Sequence, residues 1–322
     1  MKKTTKTLFG IGGALCLIGI LLFGIGFAGG GTKYVHATNL NAMDAHSEKN
    51  SKENHFKLEK TELSDFDSCD INLKDSDLNI KESPNEKSYI EYVQETKKAK
   101  NPLSYSIKNN TLILKENGNS GASYHVSVDI SFLQALLNGE NIDDDTDARS
   151  DYENYVTLYL PKDKLLSSAK INLGYGDLTL KNGNFNTSTI TLQDGDFTAD
   201  TFTANNGKIT LSYGDCIFKK TSLGNITLTL EDGDISVDNL NLSGKTNISL
   251  AYGDATITLN NSTKETAGFD LTTHYGSIDT SNLAGNKTVA DDGDKNTFQS
   301  DSKDGKTNLV MDSKDGDITI KF

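Results

Sequence analysis

Aspartates recur through the second half of this 322-residue chain at a spacing that could set carboxylates in a row. Asp177, Asp196, Asp215, Asp234, Asp254 and Asp317 each follow a glycine. Just before those glycines stand Asp194, Asp232 and Asp315, alternating with Tyr175, Tyr213, Tyr252 and Tyr275. Calcium takes six to eight oxygen ligands, so stacked carboxylates from Asp177, Asp196, Asp215, Asp234 and Asp254 could bind it. Two features weigh against that reading. The nine-residue calcium-binding repeat is absent, and an aspartate after a turn glycine is well explained as a cap for backbone N–H groups left free at the bend. The turn reading is preferred, and no cofactor is assigned.

Other chemistry-bearing groups are less organised. The acidic run "NIDDDTDARSDYEN" (141–154) puts Asp143, Asp145 and Asp147 at calcium-loop spacing. Ala148 replaces the loop glycine, and Asn154 stands where the closing acid should be, so it reads as a solvated insertion. "DDGDKN" (291–296) is weaker still. There is no phosphate-binding loop, no nucleophile elbow and no zinc-binding HExxH helix. His36, His46, His55, His125 and His274 are scattered. Two carboxylates suffice for glycoside hydrolysis, but acids are so abundant here that they single out no pair. The chain is therefore read as non-enzymatic.

The elements that must position these residues are written as a repeat. "INLGYGDLTL" (171–180) returns as "ITLQDGDFTA", "ITLSYGDCIF", "LTLEDGDISV" and "ISLAYGDATI". Aligned on Gly176, Gly195, Gly214, Gly233, Gly253, Gly276 and Gly316, the spacings are 19, 19, 19, 20, 23 and 40. The last is taken as two periods with one degenerate or looped-out copy. Apolar residues fall five and three before the glycine (Ile171, Leu173) and two and four after it (Leu178, Leu180), weakening to Thr273, Ser313 and Thr280 in the last copies. Side chains alternate along a strand, so each copy supplies two short strands with apolar inner faces. A further apolar residue nine past the glycine (Phe185, Leu223, Leu242) suggests a third inward side. "INLKDSDLNI" (71–80), with Ser76 in the glycine slot, and more loosely "YSIKNNTLIL" (105–114) are earlier copies.

A fixed period near 20 marks a repeat architecture in which one copy cannot bury its own apolar face. The fold class is all-β, a parallel β-solenoid of coils of about 19–20 residues. An array of β-hairpins with Tyr-Gly or Asp-Gly turns is the alternative. In either, glycine serves the bend because it accepts φ > 0 without a Cβ clash.

Outside the repeat, residues 8–28 are apolar and uncharged, long enough to span a bilayer as a helix. Lys2, Lys3 and Lys6 precede them and should stay in the cytoplasm, which places the rest outside. Residues 1–33 are thus a single-pass anchor, with secretion after cleavage near Ala37 as the alternative. Residues 34–56 form a polar tether, and 57–322 the folded domain, interrupted by an insertion at about 115–155. Net charge is −13. An acidic body repels nucleic acid and suits basic surfaces or simple solubility. Cys69 and Cys216 could pair only if the fold brings them together.

The lysine-led Gly-rich anchor, the opening "FKLEKTELSDFDSCDINLKDSDLNI", "YVTLYLPKD", and the recurring "GYGDLTL" and "DGDI" phrases resemble the bacterial candidate-adhesin family. That cell-surface domain family is of unknown function, and some members are linked to envelope stress. The resemblance covers residues 55–322. It implies a β-helix-like domain, an extracytoplasmic location and a Gram-positive host, and it carries no catalytic residues across. The expected function is a membrane-tethered, adhesin-like binding protein whose partner is an envelope protein, a wall polymer or a host surface. An accessory sensor of envelope stress is the alternative.

Overall fold

The computed structural model describes residues 54–96, 102–117, 154–280, 283–289 and 295–322. All lie in one compact unit, Asn54–Phe322. The expected membrane span, the tether up to residue 53 and most of the insertion fall outside the described residues, and residues 54–56, expected in the tether, already belong to the first strand. Among the described residues no helix is long and apolar enough to cross a membrane.

Among the described residues the unit is all-β apart from one short helix. In chain order the strands are β1 (Asn54–Leu63), β2 (Ser68–Leu73), β3 (Asp77–Glu82), β4 (Ser88–Thr96), β5 (Leu103–Lys108), β6 (Thr111–Glu116) and β7 (Tyr155–Leu160). Then come β8 (Leu166–Tyr175), β9 (Leu178–Leu180), β10 (Gly183–Asp194), β11 (Phe197–Tyr213), β12 (Cys216–Asp232), β13 (Ile235–Leu242), β14 (Lys245–Tyr252) and β15 (Ala255–Leu259). Helix α1 (Asn261–Thr266) leads to β16 (Gly268–Tyr275), β17 (Ile278–Asp279), β18 (Asn286–Val289), β19 (Asn296–Ser300), β20 (Asn308–Asp315) and β21 (Ile318–Lys321).

Successive copies pair in parallel, in the register of the repeat. Ile171 lies beside Ile190, Ile190 beside Ile209 and Ile209 beside Leu228. After the corner, Leu178, Phe197, Cys216, Ile235 and Ala255 line up in the same way. This parallel stacking excludes the hairpin array for the repeat region. Thr and other β-branched residues fill the outward positions, where a pleated strand favours them.

A complete coil has three sides enclosing one largely apolar core. Every apolar column expected from the sequence is buried, including the third-side residues Phe185, Ala204, Leu223 and Leu242. Two further inward columns complete it. One, seven residues before the glycine, runs through Cys69, Ala169, Ser188, Ile226, Thr246 and Leu309; the other, seven after it, through Phe202, Thr221 and Leu240. Within the core Phe185, Phe202, Phe197 and Phe218 interlock edge to face or tilted, with centroids 4.8–5.8 Å apart. Such geometry suits the ring quadrupoles.

The stacking order departs from chain order at both ends. β20 lies between β14 and β16, parallel to both, and β21 lies between β15 and β17. The last coil of the chain is therefore inserted beside the coil of Gly253, and the coil of Gly276 is pushed outward. Of the two expectations for the 40-residue gap, a degenerate copy or a looped-out one, the structure shows no further stacked coil among the described residues. The gap is instead occupied by β17 and by the antiparallel pair β18–β19, which lies against the outer edge of β16. At the other end β2 is likewise interior, held between β6 and β8. "YSIKNNTLIL" is not a coil: it forms the antiparallel hairpin β5–β6, turning at Asn109 (φ 49°) and Asn110 (φ 58°). Antiparallel pairs β1–β4 and β4–β7 finish that end. Caps of this kind keep the open edge of a parallel stack from templating further chains.

In the coil of Gly253, α1 takes the place of the third side. Asn260 caps it by accepting from Thr263 N at 2.7 Å, and Thr263 Oγ1 accepts from Leu242 N at 2.8 Å. The short helix thus docks on the coil beneath.

Candidate functional site

The Gly-Asp corner is the most regular feature on the surface. Gly176, Gly195, Gly214, Gly233, Gly253 and Gly316 have φ between 126° and 152°, where a side chain is strained. Crowding adds to this. A Cβ on Gly214 would sit 2.2 Å from Gly195 O, and one on Gly316 2.0 Å from Gly253 O. Gly276 is not among the positive-φ glycines, yet its Cβ would lie 2.1 Å from Gly316 O. At that copy the close approach of neighbouring coils, and not the dihedral, requires glycine. Ser76, in the glycine slot of the first copy, is fully buried and donates to Glu116 Oε2, which also accepts the N–H groups of Lys74 and Asp75.

At each corner the backbone turns so that the glycine N–H still donates forward, as Gly195 N does to Tyr213 O at 3.0 Å. The next N–H points back to the preceding coil, where a carboxylate meets it. Asp196 N donates to Asp177 Oδ1, Asp215 N to Asp196 Oδ1, and Asp234 N to Asp215 Oδ1, each at 2.8 Å. Asp254 N reaches Asp234 Oδ1 and Asp317 N reaches Asp254 Oδ1, again at 2.8 Å. The series begins at Asp77 Oδ1, which accepts from Asp177 N, and ends with Ser277 N donating to Asp317 Oδ1. The cap expected within one turn is thus a bond between coils. One oxygen of each carboxylate in this column is committed to a backbone amide. Among the described residues no group of three or more His, Cys, Asp or Glu is placed to hold a metal ion. Asp143, Asp145 and Asp147 lie outside the described residues.

Beside the aspartate column runs the second ladder. Strand register places Tyr175 beside Asp194, Asp194 beside Tyr213, Tyr213 beside Asp232 and Asp232 beside Tyr252. Asp315 then sits between Tyr252 and Tyr275. In chain order two tyrosines follow one another; in stacking order the inserted last coil restores strict alternation. Tyr175, Tyr213, Tyr252 and Tyr275 are 42, 54, 48 and 58% exposed, and they are half of the large hydrophobic residues that stand out in solvent among those described. Lys314 lays its ammonium 5.3 Å from the Tyr252 ring centroid and 3.5 Å from Tyr252 Oη.

The other two corners carry ladders of different chemistry. Asp200 is bound by Lys181 from one neighbouring coil and Lys219 from the other, both at 2.8 Å. Hydrogen bonds from these two lysines hold its carboxyl below the usual carboxylate range. At the third corner Asn225 Nδ2 donates to Asn206 Oδ1 at 3.1 Å, while along the third side, in the row of Ser222, Asn260 Nδ2 donates to Asn241 Oδ1 at 3.0 Å.

The two cysteines of the described residues are free and buried. They lie three coils apart, well beyond disulfide reach at about 4.8 Å per coil. Burial pushes the Cys69 thiol up to about 12 and Cys216 higher still, so neither is a ready nucleophile. His274 faces Asp312 at 3.6 Å on the exposed surface.

Fold and corner together define a class: a parallel β-solenoid whose edges are side-chain ladders. Residues 66–321 match the model of the Toastrack family, DUF4097, and the chain belongs to that family. The family read from the "GYGDLTL" and "DGDI" phrases is thereby shown. Solved structures with similarity include a candidate cell adhesion protein from Clostridium sporogenes, 16% identical, TM-score 0.33, covering 84% of this chain and 99% of its own. A candidate adhesin from Bacteroides fragilis is 11% identical, TM-score 0.39, covering 83% and 97%. One from Parabacteroides distasonis is 9% identical, TM-score 0.31, covering 84% and 98%. No curated protein matches the chain.

Proposed function

We propose that this protein is a membrane-tethered, extracytoplasmic, adhesin-like binding protein of the bacterial envelope, and that it works without catalysis. The observation that carries the reading is the Tyr/Asp ladder: four exposed aromatic rings in one line, where most other large apolar side chains among the described residues are inside. A monomer with no partner gains nothing from ordering aromatics along one edge, and exposed apolar surface concentrated in one place marks interaction sites. The uncharged apolar run at 8–28, preceded by three lysines, supports tethering with the domain outside. Shaving intact cells with protease tests location. A C-terminal tag on the full chain should be lost from the surface while the protein stays with membranes after a high-salt wash. A tag protected until the cells are lysed would refute the reading.

A further inference from the structure

The two ladders of the Gly-Asp corner form slots of one kind, and their pitch and charge select an occupant. Each slot is an exposed aspartate flanked by a tyrosine on either side: Tyr175–Asp194–Tyr213, Tyr213–Asp232–Tyr252 and Tyr252–Asp315–Tyr275. We propose that this strip docks a basic, proline-rich peptide segment in the polyproline II conformation, with every third side chain a Lys or Arg seated between two tyrosines above an aspartate. The proposal deepens the binding role above and rests on it.

Pitch is the first argument. Rings in alternate coils stand about 9.6 Å apart, twice the interstrand spacing. Polyproline II advances about 9.3 Å per three-residue turn, so four rings are matched with a total drift of about 1 Å. Residues on one face of an extended strand repeat at about 6.7 Å and miss the slots. Two turns of α-helix rise about 10.8 Å, which drifts by more than 3 Å over the same ladder. Aromatic surfaces are also what such segments dock on elsewhere, because the backbone is preformed and loses little entropy.

Charge is the second. Asp194, Asp232 and Asp315 lie in the slots, and the column from Asp177 to Asp317 runs alongside, on a chain of net charge −13. Unlike Asp200, these carboxylates are not each bracketed by lysines from both neighbouring coils. Third, the protein itself shows what a slot accepts. Lys314 places its ammonium against the Tyr252 ring, next to Asp315. That is a cation–π contact of the kind an incoming Lys or Arg would make.

The test measures binding of the full chain to a Pro-Pro-Lys repeat peptide about 12 residues long, enough to span four rings at about 3.1 Å per residue. Binding should weaken with salt, fall about tenfold or more in Tyr213→Ala and in Asp232→Asn, and survive in Asp200→Asn. A Pro-Pro-Glu repeat should not bind, and a Gly-Ser-Lys repeat of equal charge should bind less tightly. Tyr213 is exposed, so its loss should leave the melting temperature unchanged; a Tyr213→Phe variant that keeps binding confirms that the ring is what counts. Equal binding of the glutamate peptide, or indifference to both ladder substitutions, overturns the proposal. So does a chito-oligosaccharide that binds the ladder while the lysine peptide does not. Any of these failures leaves the protease result on location standing.

Discussion

Two edges of the same solenoid carry alternating ladders, and only one of them is closed. At the second corner Lys181, Asp200 and Lys219 alternate in sign, and each coil neutralises its neighbour. At the Gly-Asp corner the alternation is aspartate with tyrosine, so the negative charges recur at every second coil with rings between them. Both arise from the same arithmetic, a period of 19 residues with one residue type swapped in alternate copies. The first ladder uses up its own interactions and needs nothing further. The second leaves aromatic faces and carboxylates turned to solvent, held by a corner whose backbone is fully bonded from coil to coil. A repeat can therefore build a rigid edge and an adhesive one from the same geometry, and what distinguishes them is whether adjacent coils complement each other.

The comparison breaks most severely if the Gly-Asp corner is blocked. Gly214→Val combines a φ of 126° with a Cβ 2.2 Å from Gly195 O. It should cost about 3 kcal/mol or more, seen as a large shift of the urea midpoint, while Lys219→Ala at the other edge leaves that midpoint nearly in place. An unchanged midpoint in Gly214→Val would mean that the coils do not approach as closely as described.

A smaller loss is expected where the backbone is kept and only the carboxylate is removed. Asp215→Ala leaves the amide of Asp234 without its 2.8 Å acceptor and should cost about 1 kcal/mol. Asp215→Asn keeps an oxygen in that place and should cost less. If the two variants are equally destabilised, charge and not the amide bond is what the column supplies.

The self-neutralised edge should give the smallest response. Asp200 has its carboxyl held below the ordinary value by Lys181 and Lys219. A depressed native pKa stabilises above the unfolded value of about 3.9 and is lost as pH falls through the lower folded value. Asp200→Asn should therefore lower the melting temperature slightly near neutral pH and at low salt, and match the parent once the pH has fallen below the depressed folded value or in high salt. A difference that persists in acid would show that the lysines are not its cause.

Much of this was legible in the residues, and the gaps have physical reasons. Ile171, Leu173, Leu178, Leu180 and Phe185 announced five inward columns because apolar residues fill them in copy after copy. The columns of Ala169, Ser188 and Thr246 and of Phe202 and Thr221 stay hidden in the sequence, since Ser188, Thr246 and Thr221 interrupt the apolar residues there and break the signature. In the sequence Asp177 shows only as a local turn cap, because its partner, the amide of Asp196 19 residues away, becomes visible only once register is known. Asn109-Asn110 is a strong two-residue turn signal, passed over because its flanks imitate the repeat. The displaced last coil did leave a trace: Tyr252 followed by Tyr275 breaks the Tyr/Asp rhythm, and only Asp315 between them mends it.

That displaced coil underlies both the intact aspartate column and the alternating ladder, so its position is the point to test. Thr256 lies beside Thr319, and Thr319 beside Asp279. With Thr256→Cys and Thr319→Cys, mild oxidation of the folded protein should form an intramolecular disulfide, while Cys69 and Cys216 stay buried and unreacted. The pair Thr256→Cys and Asp279→Cys, two coils apart, should remain reduced. A disulfide in the second pair and none in the first would mean that the coils stack in chain order, and the account would fail.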